Sequence, residues 1–240
     1  MNNIFDEWSL YSRILLHDYM WHQAISAKVA NSLAEQVAPL RVLDLGCGDG
    51  WMAYECLKAS PVSLYVGIDT SADALARLQS RPGIGSELGG GQMDLVCEDV
   101  RTALSRQPDA AFNMVLASYC LHHFSQAEKQ ALVQEIRRVL EPAGVFLWID
   151  EVRHPGQTRQ GYCQALEQDI RQHWKTLSLQ EIEETLEHIR SSDFPEEESW
   201  MHAATQTCGF LALGLLFRDN LYGCCAFVPA AAESLDRSQK

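Results

Sequence analysis

The chain lacks several features that would assign it to whole classes of protein. No apolar run approaches the ~18 residues that a membrane-spanning helix needs. Its first residues have neither the basic region nor the apolar core of a signal peptide. The eight cysteines form no Cys-x-x-Cys pair and mostly lie inside apolar runs, so we expect reduced, buried thiols rather than disulfides or zinc ligands. These absences predict a cytoplasmic protein without a membrane partner.

Basic residues are also scarce. Against 32 acidic residues there are 19 lysines and arginines, and the formal net charge is -13. Such a chain repels polyphosphate, so a non-specific nucleic-acid partner is disfavoured. A length of 240 residues with 47% apolar residues suits one globular domain with a large core.

The most informative stretch is Val-Leu-Asp-Leu-Gly-Cys-Gly-Asp-Gly at positions 42–50. An apolar run enters a turn with alternate glycines, which is typical of a buried strand leading through a nucleoside-binding turn into a helix. Glycine permits positive φ and close approach of a ligand, and the free amides of such a turn can face a polar group. Position 51 is Trp, where an NAD-binding turn needs its third glycine. The alternative interpretation is an ordinary strand-to-helix turn.

Two acidic residues follow the next two predicted strands. Asp69 ends the apolar segment 64–69, where a carboxylate can accept hydrogen bonds from both ribose hydroxyls of an adenosine. Asp99 follows the predicted strand 93–97, where a carboxylate suits the exocyclic amine of adenine. Alternatively, Asp69 could cap the next helix and Asp99 could be a solvated loop acid.

Hydrophobic periodicity predicts an α/β fold. After one long leading helix over 4–37, five strands alternate with helices, as in a doubly wound parallel sheet. These strands are predicted at 41–46, 64–69, 93–97, 112–118 and 145–150. Two further strands at 210–217 and 221–228 are separated by a hairpin-length turn, which predicts an antiparallel end to the sheet.

We therefore predict a single domain with four segments. These are an N-terminal helical cap (1–39), a cofactor-binding core (40–150), a helical insertion or lid (151–195), and a last helix with the C-terminal hairpin (196–228). A flexible loop is expected at 81–92 and a disordered tail at 229–240 because of their composition.

Taken together, the glycine stretch, the two acids and the Leu-His-His sequence at 121–123 resemble the class I S-adenosylmethionine (SAM) dependent methyltransferases. The chain is most similar to the bacterial small-molecule, methyltransferase-12/25-like branch. This resemblance implies a Rossmann-like, mostly parallel seven-stranded sheet with an antiparallel last strand. It also implies SAM as cofactor, S-adenosylhomocysteine as product, and a cofactor site formed by Asp44, Gly46, Cys47, Gly48, Asp69, Thr70, Asp99, Val100 and Ser118.

Two histidines are the candidate catalytic residues. His122 and His123 follow the fourth strand, and a neutral imidazole there could act as a general base. Alternatively, one of them packs beneath the cofactor, because methyl transfer often needs no base. A His-His pair alone is a poor metal signal and no third ligand has helpful spacing, so no metal is expected.

Candidate substrate-binding residues come from the cap and the lid. Tyr11 and Tyr19 could cover the cofactor or the substrate, since their hydroxyls need partners. Arg153, His154 and Arg159 could bind an anionic group of the substrate. Core packing of the tyrosines and solvated helix faces for the basic residues are the alternatives.

The sequence thus predicts methyl transfer from SAM to a small-molecule acceptor that bears an anionic group. The transfer would be an in-line displacement with positioning as the main catalytic contribution. One alternative is a SAM-binding protein that is non-catalytic or modifies a protein. Another is an NAD-type oxidoreductase, which Trp51 and the terminal hairpin disfavour. The acceptor atom and the oligomeric state do not follow from the sequence.

Overall fold

A computed structural model of the chain describes residues 8–34, 38–81 and 91–231. Most of the predicted loop at 81–92 and of the predicted tail at 229–240 lies outside these residues. Within the described ranges, strands form one mixed sheet whose main path has the order β3-β2-β1-β4-β5-β8-β7, with β6 beside β5. The strands are β1 (Leu40–Leu45), β2 (Val62–Asp69), β3 (Gln92–Cys97), β4 (Phe112–Ser118), β5 (Leu140–Arg153), β6 (Glu196–Glu197), β7 (Phe210–Arg218) and β8 (Tyr222–Pro229).

This arrangement confirms the doubly wound α/β prediction. β1 to β5 pair in parallel, and β8 is antiparallel to both β5 and β7. The described helices are α1 (Trp8–Leu16), α2 (His22–Ser32), α3 (Trp51–Leu57), α4 (Ala72–Ser80), α5 (Val100–Ser105), α6 (Gln126–Val139), α7 (Arg159–His173), α8 (Leu179–Ser192) and α9 (Glu198–Thr207). None of them is long and apolar enough to cross a bilayer.

The sheet is the centre of two hydrophobic cores. Alternate residues of β1 enter different cores, with Leu43 in one and Val42 in the other. β4 behaves in the same way, because Val115 and Met114 are both fully buried on opposite sides. Burial on both faces explains why these strands read as continuous apolar runs. Because β1 to β5 run parallel, their carboxyl ends meet at one edge of the sheet. Ligands bind at this edge in doubly wound sheets.

A third hydrophobic cluster holds the insertion against the sheet. It joins α1, α7 and α8 to the start of β8 through Leu10, Ile14, Tyr162, Leu166, Ile170, Ile182, Leu186, Ile189 and Tyr222. α8 begins at a capping box in which Ser178 and Glu181 exchange hydrogen bonds. Arg13 of α1 forms an ion pair with that same Glu181. The N-terminal helix and the insertion therefore form one layer over the carboxyl edge of the sheet.

Several predicted boundaries are wrong. The leading helix is two helices, because the chain turns between α1 and α2 through Asp18 and Trp21, both at positive φ. β5 starts directly after α6, so Pro142 and Gly144 lie inside the strand rather than before it. β5 also extends to Arg153, into the segment that was expected to be helical from residue 151. There it pairs with the short strand β6, which begins the segment 196–228 that was expected to open with a helix.

The cysteines match the prediction of burial at five of eight positions, and Cys163 and Cys208 are only half-buried. All eight are free thiols, and Cys47, Cys56, Cys120, Cys224 and Cys225 are buried. Cys97, at the end of the outer strand β3, is exposed instead. Its apolar neighbours in the sequence predicted burial. β3 is an edge strand of the sheet, however, and one of its faces meets solvent.

Candidate active site

The glycine turn after β1 adopts the conformation that its sequence requires. Gly46, Gly48 and Gly50 have φ of +67°, +54° and +74°, a region that only glycine enters without cost. The amides of Gly46 and Cys47 donate to the Ile68 carbonyl over 2.9 and 3.0 Å, which ties the turn to β2. A Cβ at Gly46 would lie 2.6 Å from the Cys120 sulfur, so packing against that residue also demands glycine there.

Asp69 at the end of β2 is joined to the glycine turn. Its Oδ2 accepts from the Gly48 amide and its Oδ1 from the Ser71 amide, both over 2.8 Å. Each carboxylate oxygen can accept two hydrogen bonds, so one site on each oxygen is left for a ligand. The helix-capping alternative does not apply, because the Ser71 hydroxyl caps α4.

Asp99 caps α5, a helix for which the sequence analysis gave no bounds. Its Oδ1 accepts from the backbone amide and the Nε of Arg101, and its Oδ2 accepts from the Nη2 of the same arginine. The hydrogen bonds from Arg101 hold the pKa of Asp99 below its usual range. Oδ2 keeps one accepting site. Asp99 is therefore a bound carboxylate at the cavity wall rather than a freely solvated loop acid.

A single cavity of about 370 Å³ follows the carboxyl edge of the sheet. Of the predicted cofactor residues, its lining includes Gly46, Cys47, Gly48, Asp69, Thr70, Asp99, Val100 and Ser118. Trp51 also lines it, beside the glycine turn. From this end the cavity continues past Tyr119 and Cys120 to the histidines and the inner face of the insertion.

Asp44 does not line the cavity, although the sequence analysis placed it in the cofactor site. It is 1% exposed beneath the glycine turn, and its Oδ2 accepts a hydrogen bond from the Tyr65 hydroxyl over 2.6 Å. Its Oδ1 has no hydrogen-bond partner among the described residues. Burial raises the pKa of Asp44 to about 7 despite the Tyr65 hydrogen bond. This carboxyl supports the turn from behind.

His122 is buried at the inner end of the cavity and is held by Asp150 at the end of β5. The His122 Nδ1 forms a short hydrogen bond with Asp150 Oδ1, while Asp150 Oδ2 accepts from the Trp148 indole over 3.0 Å. Burial by itself lowers the pKa of His122, but the Asp150 and Asp193 carboxylates together outweigh it and raise the pKa to about 10. At neutral pH this imidazole is cationic and cannot serve as a base.

His123 occupies a different environment. Its side chain is 33% exposed, and its Nδ1 lies 3.1 Å from Asp193 Oδ1. Burial, with the His122 charge beside it, lowers the pKa of His123. His123 is therefore neutral near pH 7 and is the better candidate to accept a proton.

The insertion brings further polar groups to the histidine pair. The cavity lining also includes Glu151, Thr185, His188, Asp193 and Tyr222, none of which the sequence analysis selected. His188 Nε2 lies 3.6 Å from Asp193 Oδ1. The sequence analysis found no third candidate ligand near His122 and His123. The fold supplies one in Asp193, which lies 70 residues beyond His123 in the sequence but is close to it in space. Only the folding of the insertion onto the sheet could have revealed it.

Four of the five predicted substrate residues lie outside the cavity wall, and only Tyr11 lines it. Tyr19 stacks on Trp174 with ring centroids 5.1 Å apart and fixes the cap to the insertion. His154 is exposed on the loop before α7. Neither Tyr19 nor His154 therefore lies at the cavity, where the sequence analysis expected substrate-binding residues.

The two arginines have structural partners instead of a substrate. Arg153 donates to the Pro195 and Gln157 carbonyls, and Arg159 donates to the Asp193 and Arg190 carbonyls. Arg159 also lies over the Phe194 ring. Both guanidinium groups donate to carbonyls at the end of the insertion and lie outside the described cavity lining, so the structure gives the predicted anion-binding role no support.

Comparison with known proteins gives the site a family context. Residues 42–144 match the family model Methyltransf_25, described as a methyltransferase domain. An uncharacterised methyltransferase of Synechocystis, sll0829, is 31% identical over 110 residues, which are 46% of each chain. A carboxy-S-adenosyl-L-methionine synthase of Nitratiruptor is 25% identical over 181 residues, covering 74% of this chain and 71% of that protein. The match spans less than two thirds of most of the curated relatives.

Among solved structures, magnesium protoporphyrin IX methyltransferase (ChlM) from Synechocystis with bound SAM is similar in fold. The TM-score is 0.58 at 13% identity, and the likeness covers 92% of this chain and 84% of that one. The matched residues 42–144 contain the glycine turn and the acids at the ends of β2 and β3. This part of the chain is therefore similar to a methyltransferase domain, and the sheet has the Rossmann-like arrangement that the resemblance to class I SAM-dependent methyltransferases implies.

Proposed function

We propose that the protein transfers the methyl group of SAM to an oxygen or nitrogen atom of a small molecule. The observation that carries this proposal is the single cavity, which reaches from the glycine turn and Asp69 to His123 and Asp193. A donor held at the first end and an acceptor held at the second would share one enclosed space. Because α1 and the insertion cover this space, a small acceptor is favoured over a protein.

The residues present fit the cofactor. Asp69 retains one hydrogen-bonding site on each oxygen, which matches the two ribose hydroxyls. Asp99 Oδ2 retains one site for the adenine amine, and the Val100 backbone lies beside it. Ser118 would line the methionine part. When bound, SAM supplies a methyl group on a sulfonium, which is an electrophile.

The chain's contribution to the reaction is mainly positioning. Alignment of an acceptor lone pair with the carbon–sulfur bond lets the new bond to carbon form as the old one breaks. The cap and the insertion pack over this end of the cavity and would limit the access of bulk water to a bound acceptor. For an acceptor that carries a proton, His123 is the group that takes it, and the Asp193 carboxylate stabilises the resulting imidazolium.

The acceptor group itself is proposed to be a hydroxyl or an amine. The anionic acceptor expected from the sequence loses its support, because Arg153 and Arg159 are engaged elsewhere. The described lining contains no lysine or arginine, whereas Glu151 and Asp193 are both present. Two carboxyl groups at this end, against the single cationic His122, favour an acceptor without negative charge.

Calorimetry with SAM, S-adenosylhomocysteine and NAD tests the cofactor. We expect micromolar binding of both sulfur nucleosides and none of NAD. Transfer of labelled methyl from SAM to a panel of small phenols, alcohols and amines then tests the reaction. The same assay on His123→Ala tests the proposed proton acceptor, and His173→Ala is its control. Absence of SAM binding would refute the proposal, and SAM binding without transfer to any small molecule would favour the non-catalytic or protein-modifying alternative.

A further inference from the structure

Three histidines surround one buried carboxylate at the inner end of the cavity. Asp193 Oδ1 lies 3.1 Å from His123 Nδ1, 3.6 Å from His188 Nε2 and 3.7 Å from His122 Nε2. Asp193 is 2% exposed, and the group that it forms with His122 and His123 has all its nearest nitrogen and oxygen atoms within 4.8 Å of one another. These side chains come from two places in the fold, the turn after β4 and the end of the insertion.

The separations also suit a shared metal ion. Ligands that bind a tetrahedral ion at about 2.0–2.1 Å lie roughly 3.3 Å from one another, and the observed distances bracket that value. His123 Nδ1 lies within hydrogen-bonding distance of Asp193 Oδ1, and His122 Nε2 faces the same oxygen from 3.7 Å. The three side chains therefore converge on a common point, and their nearest donor atoms all lie within 4.8 Å of one another.

A second layer of contacts holds this group in place. The Asp150 carboxylate accepts from His122 Nδ1, and this leaves His122 Nε2 as the atom that faces Asp193. An imidazole held by a carboxylate through one nitrogen and directed inward by the other is the usual arrangement of a metal-binding histidine. Arg159 and the Trp148 indole fix the two carboxylate-bearing segments, through the Asp193 carbonyl and through Asp150 Oδ2.

The charge balance also calls for a cation. Asp150, Glu151 and Asp193 are all at least 96% buried within this region. Glu151 Oε2 has no hydrogen-bond partner among the described residues. The nearby buried Lys129 is already paired with Glu196 over 2.9 Å. The His122 side chain is already hydrogen-bonded to Asp150, so a divalent ion would offset the cost of the remaining buried Asp193 carboxylate.

We propose that His122, His123 and Asp193 bind a divalent transition-metal ion of the zinc or iron type, with His188 beside Asp193 in the surrounding layer. Two imidazoles with one carboxylate are a donor set that such ions accept. The ion would lie at the acceptor end of the cavity and would bind the acceptor's oxygen or nitrogen in an open position. Coordination would lower the pKa of that group so that it loses its proton to water before the transfer, and His123 would then be a ligand rather than the base. This last role rests on the proposed function, but metal binding does not.

Zinc binding to the untagged, chelator-treated chain tests the proposal directly. We expect a single equivalent of Zn²⁺ to bind with micromolar affinity or better in calorimetry, and metal analysis to find it after dialysis. Asp193→Ala and His122→Ala should each weaken zinc binding at least 100-fold, and His188→Ala about 10-fold. His173→Ala, on an exposed histidine at the end of α7, is the matched control and should bind zinc as the parent does.

Co²⁺ gives a readout that does not depend on activity. Visible absorption of Co²⁺ bound to the parent chain should disappear in Asp193→Ala and persist in His173→Ala. Failure of zinc to bind the parent chain, or equal zinc binding by the parent and Asp193→Ala, would overturn the proposal even without any other variant. SAM calorimetry on the same samples separates the two proposals, because zinc binding without SAM binding would refute the methyltransferase function and leave the metal site standing.

Discussion

Asp69 joins the glycine turn to the start of α4 and also faces the proposed cofactor end of the cavity. It bonds the amides of Gly48 and Ser71 and still offers two accepting sites to the cavity. We expect Asp69→Ala to weaken SAM binding by about 1.5–3 kcal/mol, the usual loss for charge-assisted hydrogen bonds. Calorimetry should show the loss, whereas Asp94→Ala, an exposed carboxylate on β3, should bind SAM normally. Parental affinity in Asp69→Ala would remove this residue from the site.

Asp44 predicts an unusual dependence of stability on pH. Its pKa in the folded protein is raised to about 7 from an ordinary value of 3.8, so the folded state holds this proton more tightly than the unfolded state. The contribution of Asp44 to stability is therefore present at low pH and is lost as the pH rises from about 4 to about 7. The slope approaches about 1.4 kcal/mol per pH unit within that window.

The test compares the parent with Asp44→Asn, in which the amide oxygen can still accept from Tyr65. Unfolding free energies from urea titrations should show the parent losing stability relative to Asp44→Asn between pH 5 and pH 7. The difference should be constant above about pH 8. A difference that does not change with pH would show that Asp44 titrates normally.

At single residues, the sequence was informative where the backbone itself forms the site. Gly46, Gly48 and Asp69 could be assigned because a tight turn beside a strand end restricts which residues are possible. Arg153 and Arg159 could not, because a guanidinium suits a backbone carbonyl as well as a ligand anion. Long side chains reach partners that only the tertiary fold brings near.

Among the elements, the buried parallel strands were predictable and the ends of elements were not. β1 and β4 are covered on both faces, so their composition alone distinguishes them. β5 extends through Pro142 and Gly144, which local rules read as a stop. Pairing with β4 and β8 overrides that local signal, and no pattern within the strand reveals its neighbours.

The junction between the insertion and the sheet depends on one buried ion pair. Lys129 of α6 is 1% exposed and donates to Glu196 of β6 and to the Phe194 carbonyl. Lys129→Met should cost about 3–5 kcal/mol of unfolding free energy, because it leaves a buried carboxylate without its partner. Chemical denaturation measures this cost, and Lys58→Met on an exposed lysine should change stability by less than about 0.5 kcal/mol.

A second variant distinguishes lost charge pairing from lost packing. Lys129→Met combined with Glu196→Gln removes both charges, and Gln126 can still bond the new amide oxygen. We expect the double variant to regain at least half of the lost stability. A double variant as unstable as Lys129→Met alone would mean that the side-chain packing of Lys129 matters and the ion pair does not.

At the scale of the whole molecule, α1 connects the two ends of the cavity. Tyr11 lines the cavity near Asp49 and Asp69, and burial together with these carboxylates raises its pKa. Leu10 and Ile14 on the same helix belong to the hydrophobic cluster of the insertion. A ligand that orders α1 should therefore also order α7 and α8, including the segment that carries His188 and Asp193.

Hydrogen exchange with and without SAM measures this coupling. We expect SAM to slow exchange in α1, α7 and α8 as well as in the glycine turn, because shared packing carries the stabilisation outward. Ile14→Ala, which removes a side chain only 2% exposed, should weaken the packing by roughly 2–5 kcal/mol and reduce the protection of α7 and α8. Leu213→Ala, on a side chain 64% exposed in β7, should leave the pattern unchanged. Protection confined to the turn and β2, in both the parent and Ile14→Ala, would mean that cofactor binding and closure over the acceptor are independent.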